Sequence, residues 1–147
     1  MVTTSLDRKA VECMSDKTER LDIVTPEKKI FSDEVSFLIA PGAEGELGVL
    51  PMHAALITPL KVGLLRFDHE ETRVVMTVSG GFMEVRDNRI TILATAVERL
   101  DEIDADRAEQ ARARAEQRLA NKTPELDVIR AEAALMRAIN RLKAVGR

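Results

Sequence analysis

The spacing of apolar residues changes character once along this chain, at the junction Glu98-Arg-Leu-Asp-Glu-Ile103-Asp104-Ala-Asp-Arg107-Ala108. Before the junction apolar residues recur with a period near two, the signature of strands; beyond it they recur at helical intervals. The chain therefore predicts a β scaffold over residues 20–100 and a separate helical unit over residues 101–147. With 147 residues it has room for one real core but not for a large enzyme with its own substrate domain.

Residues 1–19 have no sustained period and are rich in Ser, Thr, Asp and Lys, so they read as a disordered leader or extension. Strand candidates follow at Leu21–Val24, ended by Thr25-Pro26, and at Val35–Ile39, closed by Ala40-Pro41-Gly42. Glu44 to Pro51, with its recurring glycines, reads as a shaped loop. Further short strands are expected over residues 55–60, 63–67, 72–78, 82–86 and 89–94, with Asp87-Asn88 as a tight turn. About eight or nine short strands at close spacing favour a sandwich or flattened barrel.

Beyond the junction, Asp104 is a natural N-cap, and Ala108, Ala111, Ala115 and Leu119 fall on one stripe of a helix over residues 104–120. Thr123-Pro124 repeats that logic. Val128, Ala131, Leu135, Ala138, Leu142 and Val145 then mark a second helix over residues 124–145. Alanine faces permit close approach but bury little area, so this hairpin should hold together weakly.

Composition excludes several functions. The formal charge is −3, with 12 basic and 16 acidic side chains in residues 1–100 and 10 basic and 9 acidic in residues 101–147. Neither part has the cationic excess of a nonspecific nucleic-acid binder, and a chain without Trp or Tyr lacks a stacking surface for single strands. The single cysteine, Cys13, forbids an internal disulfide, and His53 and His69 have no metal-ligand spacing. No apolar run approaches a membrane span.

The arginines of the helical part carry the one chemical signal. Arg107 and Arg114 share a face of the first helix, and Arg130, Arg137 and Arg141 are spaced by seven and four on the second. Forked guanidinium donors match phosphate oxygens, so a hairpin could converge several on a triphosphate. The alternative is a solvated set paired with Glu109, Asp127 or Glu132. No G-x-x-x-x-G-K-[ST] or G-x-G-x-x-G stretch supports nucleotide hydrolysis, and Ser79-Gly80-Gly81, lacking G-x-S-x-G, reads as a turn or bulge. His53 in its loop reads as a packing or interface residue, and Glu44 and Glu46 as solvated.

Four stretches carry a family resemblance: Leu21-Asp-Ile-Val-Thr-Pro26, Ala40 to His53, Val78-Ser-Gly-Gly-Phe-Met-Glu-Val85 and Ile103-Asp-Ala-Asp-Arg-Ala108. In this order the chain resembles the epsilon subunit of bacterial F-type ATP synthases over about residues 20–147. The resemblance implies a β-sandwich of about ten strands followed by a two-helix antiparallel hairpin. It further implies a non-catalytic central-stalk subunit on the cytoplasmic face of the bacterial cell membrane, without direct membrane insertion. Its partners would be the gamma subunit, the c-ring and, when the helical arm extends, the catalytic alpha and beta subunits, whose ATP hydrolysis it would inhibit.

No cofactor is required on this reading; ATP is a regulatory ligand that steadies the folded arm, its magnesium requirement left open. Carried over by position, Glu98, Ile103, Asp104 and Ala108 would lie around the adenosine and Arg107, Arg114, Arg137 and Arg141 would reach the phosphates. Glu46 and His53 would belong to the loop facing the c-ring and gamma. The leader, with Cys13, departs from the family pattern.

Overall fold

The computed structural model describes residues 17–147; of the leader read over residues 1–19, Glu19 already opens the first strand, and residues 1–16 with Cys13 lie outside the described residues. Eight strands are present among them: β1 (Glu19–Val24), β2 (Lys29–Val35), β3 (Phe37–Gly42), β4 (Gly45–Val49), β5 (Leu56–His69), β6 (Thr72–Arg86), β7 (Arg89–Ala94) and β8 (Val97–Arg99). The family figure of about ten is thus corrected to eight. They run in the order β2-β1-β7-β6-β5-β3-β4, and β8 pairs with β6.

Two long strands make the sandwich. The first half of β5 and the last half of β6 pair together, and residues 81–86 of β6 take β7 on their other edge. The later half of β5 pairs with the start of β6, residues 66–68 take β3, and residues 76–78 of β6 take β8. Each long strand therefore serves both layers. Where the partner changes, Gly80 and Gly81 stand at φ +89° and +143°, which only glycine adopts without strain.

The sequence reading broke both long strands in two. The expected strands over 55–60 and 63–67 left a gap at Lys61-Val62, and Ser79-Gly80-Gly81 read as a turn or bulge, whereas β5 and β6 each continue through those residues. Pro59 is tolerated because beside residues 56–60 the free edge of β5 pairs with β3 only at Gly42, and a missing N–H costs little there. The shaped loop Glu44–Pro51 is mostly β4, paired antiparallel with β3 across Ala43-Glu44. Val35–Ile39 is split at Ser36, and β2, β8 and the turn at Glu70-Glu71 were not foreseen. Asp87-Asn88 does form the tight turn, both residues at positive φ.

The core lies between the layers. Leu21 and Ile23 of β1, Leu38 of β3, Leu65 and Phe67 of β5, Met76 and Met83 of β6 and Ile90 and Ile92 of β7 are fully enclosed. Alternation along β7 shows why: Ile90 and Ile92 point in, Arg89 and Leu93 point out. On the outer face, Ser32 donates to Asp22 and the Arg89 Nε donates to the same carboxylate at 2.9 Å, tying β2, β1 and β7 together. The Ser32 bond, followed by the Arg89 contacts, holds the Asp22 carboxyl below the usual range.

A 3-10 turn over Leu100–Glu102 leads into α1 (Ala105–Ala120), and α2 (Val128–Ala144) returns antiparallel to it. Asp104 caps α1 as expected, its carboxylate accepting from Arg107 N at 3.0 Å. The start of α2 differs from expectation. Thr123-Pro124 lies in a turn closed by Leu126 N donating to Thr123 O, and Asp127 is the cap, accepting from Arg130 N at 3.0 Å. A carboxylate offered to a free helix N–H outcompetes the hydroxyl four residues earlier.

The hairpin rests on the sandwich through α2. Ala138 and Leu142 are buried, and the enclosed Asn140 donates from Nδ2 to the Gly63 carbonyl of β5 at 2.9 Å. Asn140→Ala would leave that carbonyl without its partner and remove a directional hold. The expected loss is about 1–2 kcal/mol of docking, read as faster amide exchange in α1 and α2 with the β-strands unchanged; equal acceleration in both parts would refute a docking role.

Candidate functional site

The junction that divides the chain also builds a cleft. β8 delivers Glu98 beside β6, the 3-10 turn places Glu102 and Ile103, the capped start of α1 presents Asp104, Arg107 and Ala108, and the next turns add Ala111 and Arg114. Arg141 closes the site from the last turns of α2. The cleft measures about 310 Å³, at the lower end of the range of ligand pockets.

Its electrostatics divide into a closed pair and two free cations. Arg141 grips Glu98 with both forks, Nε to Oε2 at 2.6 Å and Nη2 to Oε1 at 2.9 Å, across 43 positions of sequence. Thr77 Oγ1 approaches the same carboxylate at 3.4 Å. Both charged side chains are about one third exposed, 32% and 33%, so the bidentate pair contributes on the order of 1 kcal/mol to docking of α2 against β8. Arg107 and Arg114 have no ion pair among the described residues. The Asp104 carboxylate is engaged as the helix cap, and Glu102 accepts from the Arg99 backbone N–H.

Seven of the eight residues assigned to nucleotide by resemblance therefore line one cleft: Glu98, Ile103, Asp104, Arg107, Ala108, Arg114 and Arg141. Arg137 stands apart. It lines an adjoining cleft of about 390 Å³ with Arg118 and Arg130 near the hairpin turn. The alternative pairing with Glu109, Asp127 or Glu132 is not what these arginines adopt: Glu109 approaches Arg147, and Asp127 caps α2. The C-terminal Arg147 also reaches Asp106 at 3.1 Å, linking the end of α2 to the start of α1.

Glu46 and His53 are not brought together. Glu46, on β4, pairs with Arg66 of β5. His53 follows β4, its Nδ1 2.8 Å from the Ala54 carbonyl, in a segment fastened to the β6–β7 turn by Met52 N donating to the Asn88 side chain. Among the described residues, no group of His, Cys, Asp and Glu is arranged to hold a metal, and no helix is long and apolar enough to cross a membrane.

An apolar patch escaped the sequence reading. Ile57, Phe82 and Leu93 are 71%, 59% and 58% exposed, and Phe82 is the cross-strand partner of both Pro59 and Leu93. The signal was present: Phe82 and Leu93 sit out of phase with the inward-facing Met83, Val85, Ile90 and Ile92, so these strands are apolar on both faces. Leu50 and Met52 are exposed in the segment before His53.

A β-sandwich followed at the junction by a helical hairpin is the architecture of the ATP synthase delta and epsilon chains. Residues 18–100 match the family model for the ATP synthase Delta/Epsilon chain beta-sandwich domain, and residues 101–146 match that for the long alpha-helix domain. The chain is 59% identical to the ATP synthase epsilon chain of Desulforamulus reducens over 128 residues, covering 87% of this chain and 97% of that one. It is 63% identical to the corresponding chain of Pelotomaculum thermopropionicum over 133 residues, 90% and 99% of the two. In fold it is similar to a chain in the cryo-EM structure of the Euglena gracilis mitochondrial ATP synthase, with a TM-score of 0.79 at 24% identity over 87% of this chain and 81% of that one. The chain belongs to the epsilon-chain family of bacterial F-type ATP synthases.

Proposed function

We propose that the chain is the non-catalytic epsilon subunit of a central stalk, coupling proton-driven rotation to ATP synthesis, and that its hairpin is a regulatory arm whose folded position is stabilised by ATP. The observation that carries the regulatory part is the cleft joining β8, the start of α1 and the end of α2. A ligand held there touches the sandwich and both helices at once, so it binds the folded arm and not an extended one.

Arg107 and Arg114 supply free guanidinium groups for phosphates, and the triphosphate would run between the two helices toward Arg137. Ile103 and Ala108 offer the apolar surface for the adenine. Carboxylates at Glu98, Glu102 and Asp104 oppose binding unless the arginines compensate, which makes affinity sensitive to each free cation. If only the folded form binds, ATP at about 100 times its dissociation constant adds roughly 2.7 kcal/mol to that form. No bond in ATP is broken. When ATP leaves, the arm extends along gamma towards the alpha and beta subunits and inhibits hydrolysis.

The sandwich carries the docking. The Ile57, Phe82 and Leu93 patch and the exposed Leu50 and Met52 are surfaces of the kind that partners cover, here assigned to gamma and the c-ring on the cytoplasmic face of the membrane.

Calorimetric titration of the purified chain with ATP and ADP, with phosphate release followed in parallel, tests the regulatory part. Saturable ATP binding at one site, weaker ADP binding and no turnover are expected. Arg107→Ala should weaken ATP about tenfold to a hundredfold while the sandwich unfolds as before; unchanged affinity removes Arg107 from the site. One observation favours a second reading, the same stalk subunit without ATP sensing: the Glu98–Arg141 pair already latches the arm. Absence of binding at millimolar ATP would select it.

A further inference from the structure

The clefts along the hairpin are not separate. The cleft at the junction shares Ala111 and Arg114 with a smaller one, and that one shares Arg118, Ala131 and Ala134 with the cleft near the hairpin turn. They join into one seam running the length of the two helices. From Arg107 to Arg118 the α1 wall alone spans about 16 Å at 1.5 Å per residue, more than a triphosphate occupies beside its nucleoside. The floor is alanine, so nothing fills the seam. Larger side chains at Ala111, Ala131 or Ala134 would close it.

The walls are cationic where the floor is small. Arg118, Arg130 and Arg137 line the far cleft and have no ion pair among the described residues. Two carboxylates also line it, Glu125 and Asp127, and Asp127 is engaged at the start of α2. Between the two end clefts the seam is lined only by Arg114, Arg118 and alanines, with no acidic side chain. Arginines left unpaired along an open groove with an alanine floor are poised for an extended anion with phosphoryl groups at regular intervals.

We infer that the far cleft is a second anion subsite, and that the whole seam takes a linear chain of more than three phosphoryl groups, whether inorganic polyphosphate or the tail of a nucleoside polyphosphate. The inference rests on the ATP reading only for the direction in which a nucleotide would lie. Arg118 and Arg130, outside the junction cleft, are the specificity residues for the extension.

The test compares tripolyphosphate, a longer linear polyphosphate, ATP and adenosine tetraphosphate on the full chain, titrated at fixed salt. The longer inorganic chain should bind about tenfold or more tighter than tripolyphosphate. Arg118→Gln combined with Arg130→Gln should abolish that gain and leave ATP affinity within about twofold. Arg112→Gln, which removes a charge already paired with Glu116 on the outer face, is the control for general electrostatics. Its expected effect is small.

Tighter binding of adenosine tetraphosphate than ATP identifies a nucleotide source; a gain confined to the inorganic chain identifies the other. No gain with length, or equal loss in Arg112→Gln, overturns the inference. Loss of ATP binding with retention of the length effect would remove the nucleotide reading and leave this one standing. Thermal unfolding of each variant shows that the comparison is between folded proteins.

Discussion

Gly81→Ala is expected to cost the sandwich roughly 3–5 kcal/mol. A Cβ built there lies 2.1 Å from the Leu93 carbonyl oxygen and 2.8 Å from the Ala94 Cα, both backbone atoms of β7 that cannot step aside without breaking their own ladder. Its φ of +143° adds conformational strain. Gly80 is the internal comparison. It too has positive φ, but its nearest neighbour would be the Leu60 carbonyl at 3.6 Å, an ordinary contact. Gly80→Ala should therefore lose only the backbone component, about 1–2 kcal/mol. Denaturant unfolding of the two variants decides the matter, and equal losses would show that steric exclusion by β7 plays no part.

The second large effect depends on pH. Glu19, at the start of β1, is fully enclosed, and neither carboxylate oxygen has a hydrogen-bond partner among the described residues. Burial pushes its carboxyl up to about 7 from 4.5, with His53 pulling it down and Glu34 pushing it further up. A carboxyl that keeps its proton more tightly when folded stabilises the fold relative to a charged one. Below about 4.5 Glu19 is neutral in both states and carries no penalty. As pH rises towards 7 the unfolded chain ionises first, and stability falls. Above 7 the full cost is present, at most about 3 kcal/mol.

Glu19→Gln imitates the protonated form at every pH. The variant should match the parent near pH 4.5 and exceed it above pH 8 by about 2–3 kcal/mol. Thermal unfolding across that range measures the difference. A constant offset between the two proteins would refute the titration, and a variant less stable at high pH would place an unseen cation beside the carboxylate.

What could be read from the sequence, and what could not, follows from the range of each interaction. The change of period at Asp104 is local, and so is the Asp104 cap; both are present in the fold. The gaps the sequence suggests at Lys61-Val62 and at Ser79-Gly80-Gly81 reflect local preferences alone, and pairing along β5 and β6 carries the chain through both. Edge strand β2, with Lys29, Ser32, Asp33 and Glu34 among its seven residues, has too few inward apolar side chains for its period to show. Thr123-Pro124 carried the right cap chemistry at the wrong place, since Asp127 supplies a stronger acceptor.

The site was legible only in part for the same reason. Helical spacing put Arg107 and Arg114 on one face, and both line the junction cleft. It grouped Arg137 with Arg141 on the other helix, but the two face different clefts. The grip of Arg141 on Glu98 joins residues 43 positions apart and leaves no trace in local pattern.

The alanine floor of the hairpin has a bearing on the protein's life outside the folded state. The buried residues of α1 are Ala108 and Ala115, and those of α2 are Ala131 and Ala138 with Asn140 and a single leucine, Leu142. Separating the helices therefore bares small, scattered apolar spots that water tolerates and neighbouring molecules ignore. On the proposed regulatory reading, an arm built in this way would straighten and refold without becoming a nucleus for aggregation.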